Sequence, residues 1–201
     1  MSGKAVFLDK DGTLIDDLPY NVNPALIRLS TGALEALRSL QDSGYRLLIV
    51  TNQSGVARGY FGEDQLQQVE ARLRELLSSA GVFLTGFYYC PHYPDGEVSQ
   101  YAVECTCRKP QPGMIYKAAL EHQLDLEDAW LVGDILNDIE AGNRAGCRTV
   151  LVDNGHEMEW HMTSIRQPAF IVRNLLEAAY VIVAEGPKRN LRYGEQEQRT
   201  N

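Results

Sequence analysis

Four short apolar runs constrain the fold more than any other feature of this chain. They lie at residues 5–8 (AVFL), 47–50 (LLIV), 130–132 (WLV) and 149–152 (TVLV). None alternates apolar with polar residues, as expected for strands covered on both faces. A fifth candidate is 87–89 and a weaker sixth is 169–172. Helical spacing lies between them. Leu34, Leu37 and Leu40 follow an expected cap at Ser30 or Thr31, and Leu66, Val69, Leu73, Leu76 and Leu77 share one face ahead of Gly81. Residues 116–123, 139–145 and 174–184 supply three more helices. Strand–helix alternation of this kind predicts an α/β fold, a Rossmann-like open parallel sheet with helices on both faces.

The chain has 201 residues, which predicts one domain over 1–185 followed by a polar, disordered tail at 186–201. Hydrophobic residues at 44% and charged residues at 23% are ordinary for a globular protein and exclude a collagen-like, disordered or membrane-spanning chain. The late apolar run 178–184 is too short to cross a bilayer. A net charge of −8 argues against a general nucleic-acid or anionic-membrane binder. An anionic substrate stays compatible with it if basic groups gather at one site. No secretory apolar region precedes the first strand, so a cytoplasmic location is expected.

The strong runs end at Asp9, Thr51, Asp134 and Asp153. Ligands of open α/β sheets bind beyond the carboxyl ends of the strands, so these polar side chains are expected along one sheet edge. In Asp9-Lys10-Asp11-Gly12-Thr13, two aspartates two residues apart can face one pocket, and their repulsion calls for a divalent cation or a raised pKa. A solvated surface turn is the other reading of the same five residues. An EF-hand is excluded, because its glycine and glutamate positions hold Leu14 and Tyr20. Thr51-Asn52-Gln53-Ser54-Gly55, with Arg58 close behind, offers neutral donors suited to phosphoryl oxygens or a plain polar turn. Arg108 and Lys109 offer a planar fork and a point charge. Asp138, four residues after Asp134, reads either as a helix N-cap or as a partner of a metal or of Lys109. Acids at two strand ends, a hydroxyl at a third and a nearby lysine together fit Mg²⁺-assisted phosphoryl transfer.

Four cysteines are too few for a disulfide scaffold. Cys90, His92, Cys105 and Cys107 form a Cys₃His set of the closed, structural Zn²⁺ type. Cys107 lies two residues before Lys109, so zinc binding is expected to aim that lysine. Cys147 reads as core, and His156, Glu157, Glu159 and His161 read as a solvated segment.

The ordered set Asp9-x-Asp11-Gly12-Thr13, Thr51, Lys109 and Gly133-Asp134-x-x-x-Asp138 resembles the haloacid dehalogenase-like phosphohydrolases over residues 5–153. The resemblance implies that Asp9 is the nucleophile of an aspartyl-phosphate and Asp11 the general acid and base. It implies that Thr51 and Lys109 hold phosphoryl oxygens, while Asp9, the Asp11 backbone carbonyl and Asp134 bind Mg²⁺. The cysteine–histidine set resembles the zinc loop of one branch, the heptose-bisphosphate phosphatases and histidinol-phosphatases. Asp17 and Tyr20 resemble a substrate loop of the heptose enzymes, with Leu18-Pro19 as a departure between them. Ile135 is a second departure, standing where the branch carries a basic residue. Too few residues separate Asp11 from the first helix for a large cap. A capless monomer acting on a small phosphorylated metabolite, a sugar bisphosphate first, is therefore expected. A receiver-type phosphoacceptor and a zinc-organised nucleic-acid binder are the readings from other classes.

Overall fold

A computed structural model of the protein describes residues 3–186. The expected disorder of the tail therefore lies outside the described residues, Gly186 excepted. Six strands form one parallel sheet: β1 (Ala5–Leu8), β2 (Arg46–Asn52), β3 (Leu84–Cys90), β4 (Trp130–Gly133), β5 (Arg148–Val152) and β6 (Phe170–Val172). The spatial order is β3-β2-β1-β4-β5-β6. The helices between them are α1 (Ala33–Asp42), α2 (Glu63–Ser78), α3 (Gly113–His122), α4 (Leu136–Ala145) and α5 (Leu175–Glu185).

Burial on both faces explains the unbroken apolar runs. In β1, Val6 and Leu8 join one cluster with Leu37, Leu40, Leu73 and Ile182 of α1, α2 and α5. Ala5 and Phe7 join the other, with Met114, Ile115 and Ala141 of α3 and α4. Fully burying one large apolar side chain contributes roughly 1.5–3 kcal/mol, which favours apolar residues on both faces of a central strand. Sheet-edge strand β3 differs. Its residues alternate between buried and half-buried, which is why only its middle, 87–89, stood out in the sequence.

The chain builds outward from β1 through β2 to β3, then crosses to β4 on the other side of β1. This reversal makes β1 and β4 the topological switch point, where a crevice opens at the carboxyl ends of the strands. The Asp9 backbone N–H donates to Val132 O at 2.9 Å, so the ends of the two strands are held level. No cap domain is inserted among the described residues. The segment between Asp11 and α1 holds one short 3-10 helix, Pro24–Leu26, and residues 91–112 form a loop without helix or strand.

The expected cap of α1 does not form. Gly32 occupies the N-cap position, and the Ser30 hydroxyl instead donates to Thr13 O at 2.7 Å, tying the turn after β1 to the approach of α1. Asp153 also departs from expectation. It is exposed, and its N–H turns to Val172 O at the end of β6. No helix among the described residues is long and apolar enough to cross a membrane.

Candidate active site and metal centre

The turn after β1 is built by Gly12, whose φ of 79° lies in the left-handed region that favours glycine. A Cβ at Gly12 would run into Asp134 Oδ2 and the His156 ring, so this position is doubly specified. The turn brings Asp9, Asp11 and Asp17 to a cleft of about 260 Å³, whose walls also include Thr51, Asn52, Lys109, Asp134, Ile135, Asp138 and His156. A smaller cleft of about 120 Å³ adjoins it, lined by Lys10, Asp11, Asp17, Tyr20, Asn21, Asn52, Gln53, Ser54 and Gly55. A larger groove, about 570 Å³, runs along β3 and contains none of Asp9, Asp11 or Asp134. Chemistry rather than volume marks the site.

Lys109 is buried at the centre of the cleft. Its ammonium donates to Asp9 Oδ1 at 2.5 Å and to Val50 O at 2.9 Å, and forms an ion pair with Asp138 Oδ1 at 2.7 Å. Burial pulls its pKa down, but Asp138 and Asp9 more than offset this and hold it above the ordinary lysine value. Asp138 Oδ2 accepts from the Ile135 N–H at 3.3 Å. Asp138 is therefore not the N-cap, a position that Ile135 holds, but the third residue of α4: one oxygen accepts from the Ile135 N–H and the other pairs with Lys109.

Asp9, Asp134 and Asp138 bring carboxylate oxygens within 4.8 Å of one another. Burial pushes Asp9 up to about 7 despite Lys109, and burial together with Asp9 pushes Asp134 up to about 6. Asp138 is raised as well, again chiefly by burial. Three buried carboxylates face one buried ammonium, so the cluster lacks positive charge. This donor set of hard oxygens fits Mg²⁺.

Five residues expected from sequence occupy distinct places at the end of β2 and in the loop after it. The Thr51 hydroxyl accepts from Gln53 Nε2 at 2.9 Å, and the same amide group donates to Asp11 Oδ2 at 3.0 Å. Asn52 bonds the Lys109 backbone through both ends of its amide and lines both clefts. Ser54 lines the smaller cleft. Arg58 lines neither cleft; its guanidinium stacks on Tyr93 at 4.2 Å. Arg108 reaches the same ring at 5.0 Å and lines a neighbouring cleft of about 360 Å³ beside Lys109. Tyr20 holds a φ of 55° and meets the Tyr60 ring edge-on at 4.8 Å.

Two residues of the site were not expected. His156 was read as solvated, yet its Nδ1 lies 2.5 Å from Asp134 Oδ2, because the loop after β5 folds back over the strand ends. Glu157 in the same loop accepts from the Leu136 N–H at 2.7 Å, satisfying an unpaired donor at the start of α4. Lys10 is buried and its Nζ donates to Asp11 Oδ1 at 2.6 Å. The available signal for His156 was its position just past the carboxyl end of β5. For Lys10 it was a cation flanked by two acids.

The sulfur and imidazole ligands expected from sequence converge. The ligand atoms of Cys90, His92, Cys105 and Cys107 all lie within 4.8 Å of one another. Sγ–Sγ separations are 3.1 Å for Cys90–Cys107, 3.3 Å for Cys105–Cys107 and 3.5 Å for Cys90–Cys105. His92 Nδ1 is 3.3 Å from Cys107 and 3.6 Å from Cys90. A tetrahedron with arms of about 2.3 Å to sulfur has edges somewhat under 4 Å, so this arrangement can hold a tetrahedral metal. None of the four cysteines is in a disulfide. Hydrogen bonding with Cys90 and Cys105 pushes the Cys107 thiol down to about 5, while the same contact and burial push the Cys90 thiol up. The Arg108 N–H adds a bond to Cys105 Sγ at 3.3 Å. The loop is braced from behind by Glu63, which accepts from Tyr101 at 2.5 Å and from Tyr89 at 2.6 Å.

A parallel sheet with buried aspartates at its switch point, a lysine bridging them and no cap defines the class. Residues 106–178 match the family described as HAD-hyrolase-like. A curated D-glycero-beta-D-manno-heptose-1,7-bisphosphate 7-phosphatase of Haemophilus ducreyi is 46% identical over 157 residues, spanning 77% of this chain and 86% of that protein. The chain belongs to the HAD-like phosphatases. The likeness to heptose enzymes extends to a D-glycero-alpha-D-manno-heptose-1,7-bisphosphate 7-phosphatase of Photorhabdus laumondii, 40% identical over 76% of this chain and 84% of that protein. It extends also to the crystal structure of D,D-heptose 1,7-bisphosphate phosphatase from B. bronchiseptica complexed with magnesium and phosphate. That structure superposes with a TM-score of 0.78 at 30% identity, covering 91% of this chain and 99% of that one.

Proposed function

We propose that this protein hydrolyses the C7 phosphomonoester of a heptose 1,7-bisphosphate through an aspartyl-phosphate on Asp9. The observation that carries this reading is the placement of Asp9. It sits at the switch point with one oxygen on Lys109, beside Asp134 and facing the cleft that Asp11 shares.

An Asp9 carboxylate oxygen attacks phosphorus, and the bond from phosphorus to the sugar oxygen breaks. Asp11 gives its proton to the departing oxygen, leaving an alcohol. Asp11, now a carboxylate, takes a proton from the water that attacks the aspartyl-phosphate. The bond from phosphorus to Asp9 then breaks and the carboxylate is restored. Lys109 and the Thr51 hydroxyl hold phosphoryl oxygens, and Asp138 keeps Lys109 in place. Asp9, the Asp11 backbone carbonyl and Asp134 would hold Mg²⁺, which offsets the charge of the phosphoryl group and of the aspartates. Cys90, His92, Cys105 and Cys107 would hold a structural Zn²⁺ that fixes the loop leading to Lys109.

The open clefts suit a small metabolite acting on a monomer. Asp17, Tyr20, Gln53, Ser54 and Arg108 form the walls that would meet the sugar and its second phosphate. Arg58 supports that wall by stacking on Tyr93. The test is inorganic phosphate release, with excess Mg²⁺, from both anomers of D-glycero-D-manno-heptose 1,7-bisphosphate and from histidinol phosphate. Many turnovers on a heptose bisphosphate are expected. A faster rate on histidinol phosphate would reassign the substrate, and a single turnover that leaves the protein phosphorylated would make it a phosphoacceptor.

A further inference from the structure

We infer that Lys10 is a positioning residue for Asp11, fixing the plane of the carboxyl group that exchanges protons with the leaving sugar oxygen. Lys10 is 1% exposed, which is unusual for a lysine and costly unless its charge is matched. Its match is Asp11 Oδ1, at 2.6 Å. The other oxygen, Oδ2, accepts from Gln53 at 3.0 Å. Asp11 is thus held from both sides, although its side chain is 30% exposed and faces the open cleft. A half-exposed aspartate held on one side only would be free to change rotamer, and proton transfer demands a set position within hydrogen-bond reach. The Lys10 ammonium forms its ion pair with Asp11, whereas Asp9 and Asp138 pair with Lys109. Each Asp11 oxygen keeps a further lone pair for the proton in transit.

This inference rests on the reading of Asp11 as general acid, and the experiment separates the two. The kcat/KM of the wild type, Lys10→Met and Asp11→Asn is measured on a heptose 1,7-bisphosphate and on p-nitrophenyl phosphate. The nitrophenolate departs without a proton, whereas the sugar oxygen needs one. Removing the clamp is expected to cost at least about tenfold more on the sugar phosphate than on the aryl phosphate, with the loss in kcat rather than KM. Asp11→Asn is expected to show the same split, larger. Should Lys10→Met fail to fold, Lys10→Gln, which keeps a polar donor but removes the charge, is read in the same way. Equal losses on both substrates, or none, while Asp11→Asn shows the split, overturn the role of Lys10. A missing split in Asp11→Asn removes the general-acid reading, and the inference with it. Absence of phosphate release by the wild type removes the phosphatase reading altogether.

Discussion

Asn52 and the backbone of Lys109 bond to each other in both directions: Asn52 Nδ2 donates to Lys109 O at 3.0 Å, and the Lys109 N–H donates to Asn52 Oδ1 at 3.0 Å. The last residue of β2 thereby fixes the starting point of the side chain that reaches Asp9. The metal loop delivers Lys109 to the sheet, and Asn52 locks it there.

Asn52→Ala removes both bonds and lets Lys109 drift. A displacement of about 1 Å at a reacting group costs on the order of 100-fold, so kcat/KM for phosphate release is expected to fall between about 10- and 100-fold. The melting temperature is expected to drop by only a few degrees, reflecting roughly 1–2 kcal/mol for two partly exposed bonds. An unchanged rate would show that Asn52 does not set the position of Lys109.

Asp9→Asn keeps the size of the side chain and still offers Lys109 an oxygen. The protein is expected to fold and to lose turnover entirely, because an amide oxygen is a poor nucleophile. Near-normal phosphate release from this variant would reject Asp9 as the attacking group.

Lys109→Met leaves Asp9 and Asp138 buried without their cation. Removing one partner of a buried pair typically costs about 3–5 kcal/mol, so a large loss of stability in urea unfolding is expected in metal-free protein. Added Mg²⁺ should restore part of it. A stability equal to wild type would mean that the carboxylates are already neutral or otherwise compensated.

Stripping the Cys90–His92–Cys105–Cys107 site with a zinc-selective chelator, in excess Mg²⁺, is expected to abolish most turnover and to lower the melting temperature. Readdition of Zn²⁺ should recover both. Full activity after complete removal of the metal would uncouple the loop from Lys109.

Glu140 carries the clearest pH signature away from the site. Burial pushes its pKa up, but Arg166 at 2.7 Å and Arg144 at 2.6 Å pull it below the ordinary glutamate value. The unfolded chain therefore takes up this proton at a higher pH than the folded one. The stabilisation is complete above about 4.5 and drains away as pH falls through the folded value. Glu140→Gln should be less stable than wild type at neutral pH, and the gap should close in strong acid. A gap that stays constant between pH 7 and pH 3 would contradict this account.

Much of this arrangement was legible because it is local. Asp9, Asp11 and Gly12 sit within one turn after a fully buried strand, and Thr51 and Asp134 end two more. The central strands were visible because both of their faces are covered. β3 was seen only in its middle, since an edge strand alternates. The metal ligands were visible because Cys90 and His92 lie at the end of one strand and Cys105 and Cys107 are two residues apart in one loop.

The remainder depended on chain segments meeting across the fold. Nothing in the spacing indicated that His156 would touch Asp134, because that contact is made by the path of the loop after β5. Lys10 stands between two acids in the sequence, and only the folded chain buries it and sets its Nζ on Asp11. The split duty of Asp138 likewise needed the distance to Lys109. By itself, then, the sequence determined which groups stand at the ends of the strands, because strand burial and turn geometry act over a few residues. Which of those groups bond to one another was decided by the tertiary structure, because Coulomb energy and hydrogen bonding depend on separations of a few ångströms that only packing sets.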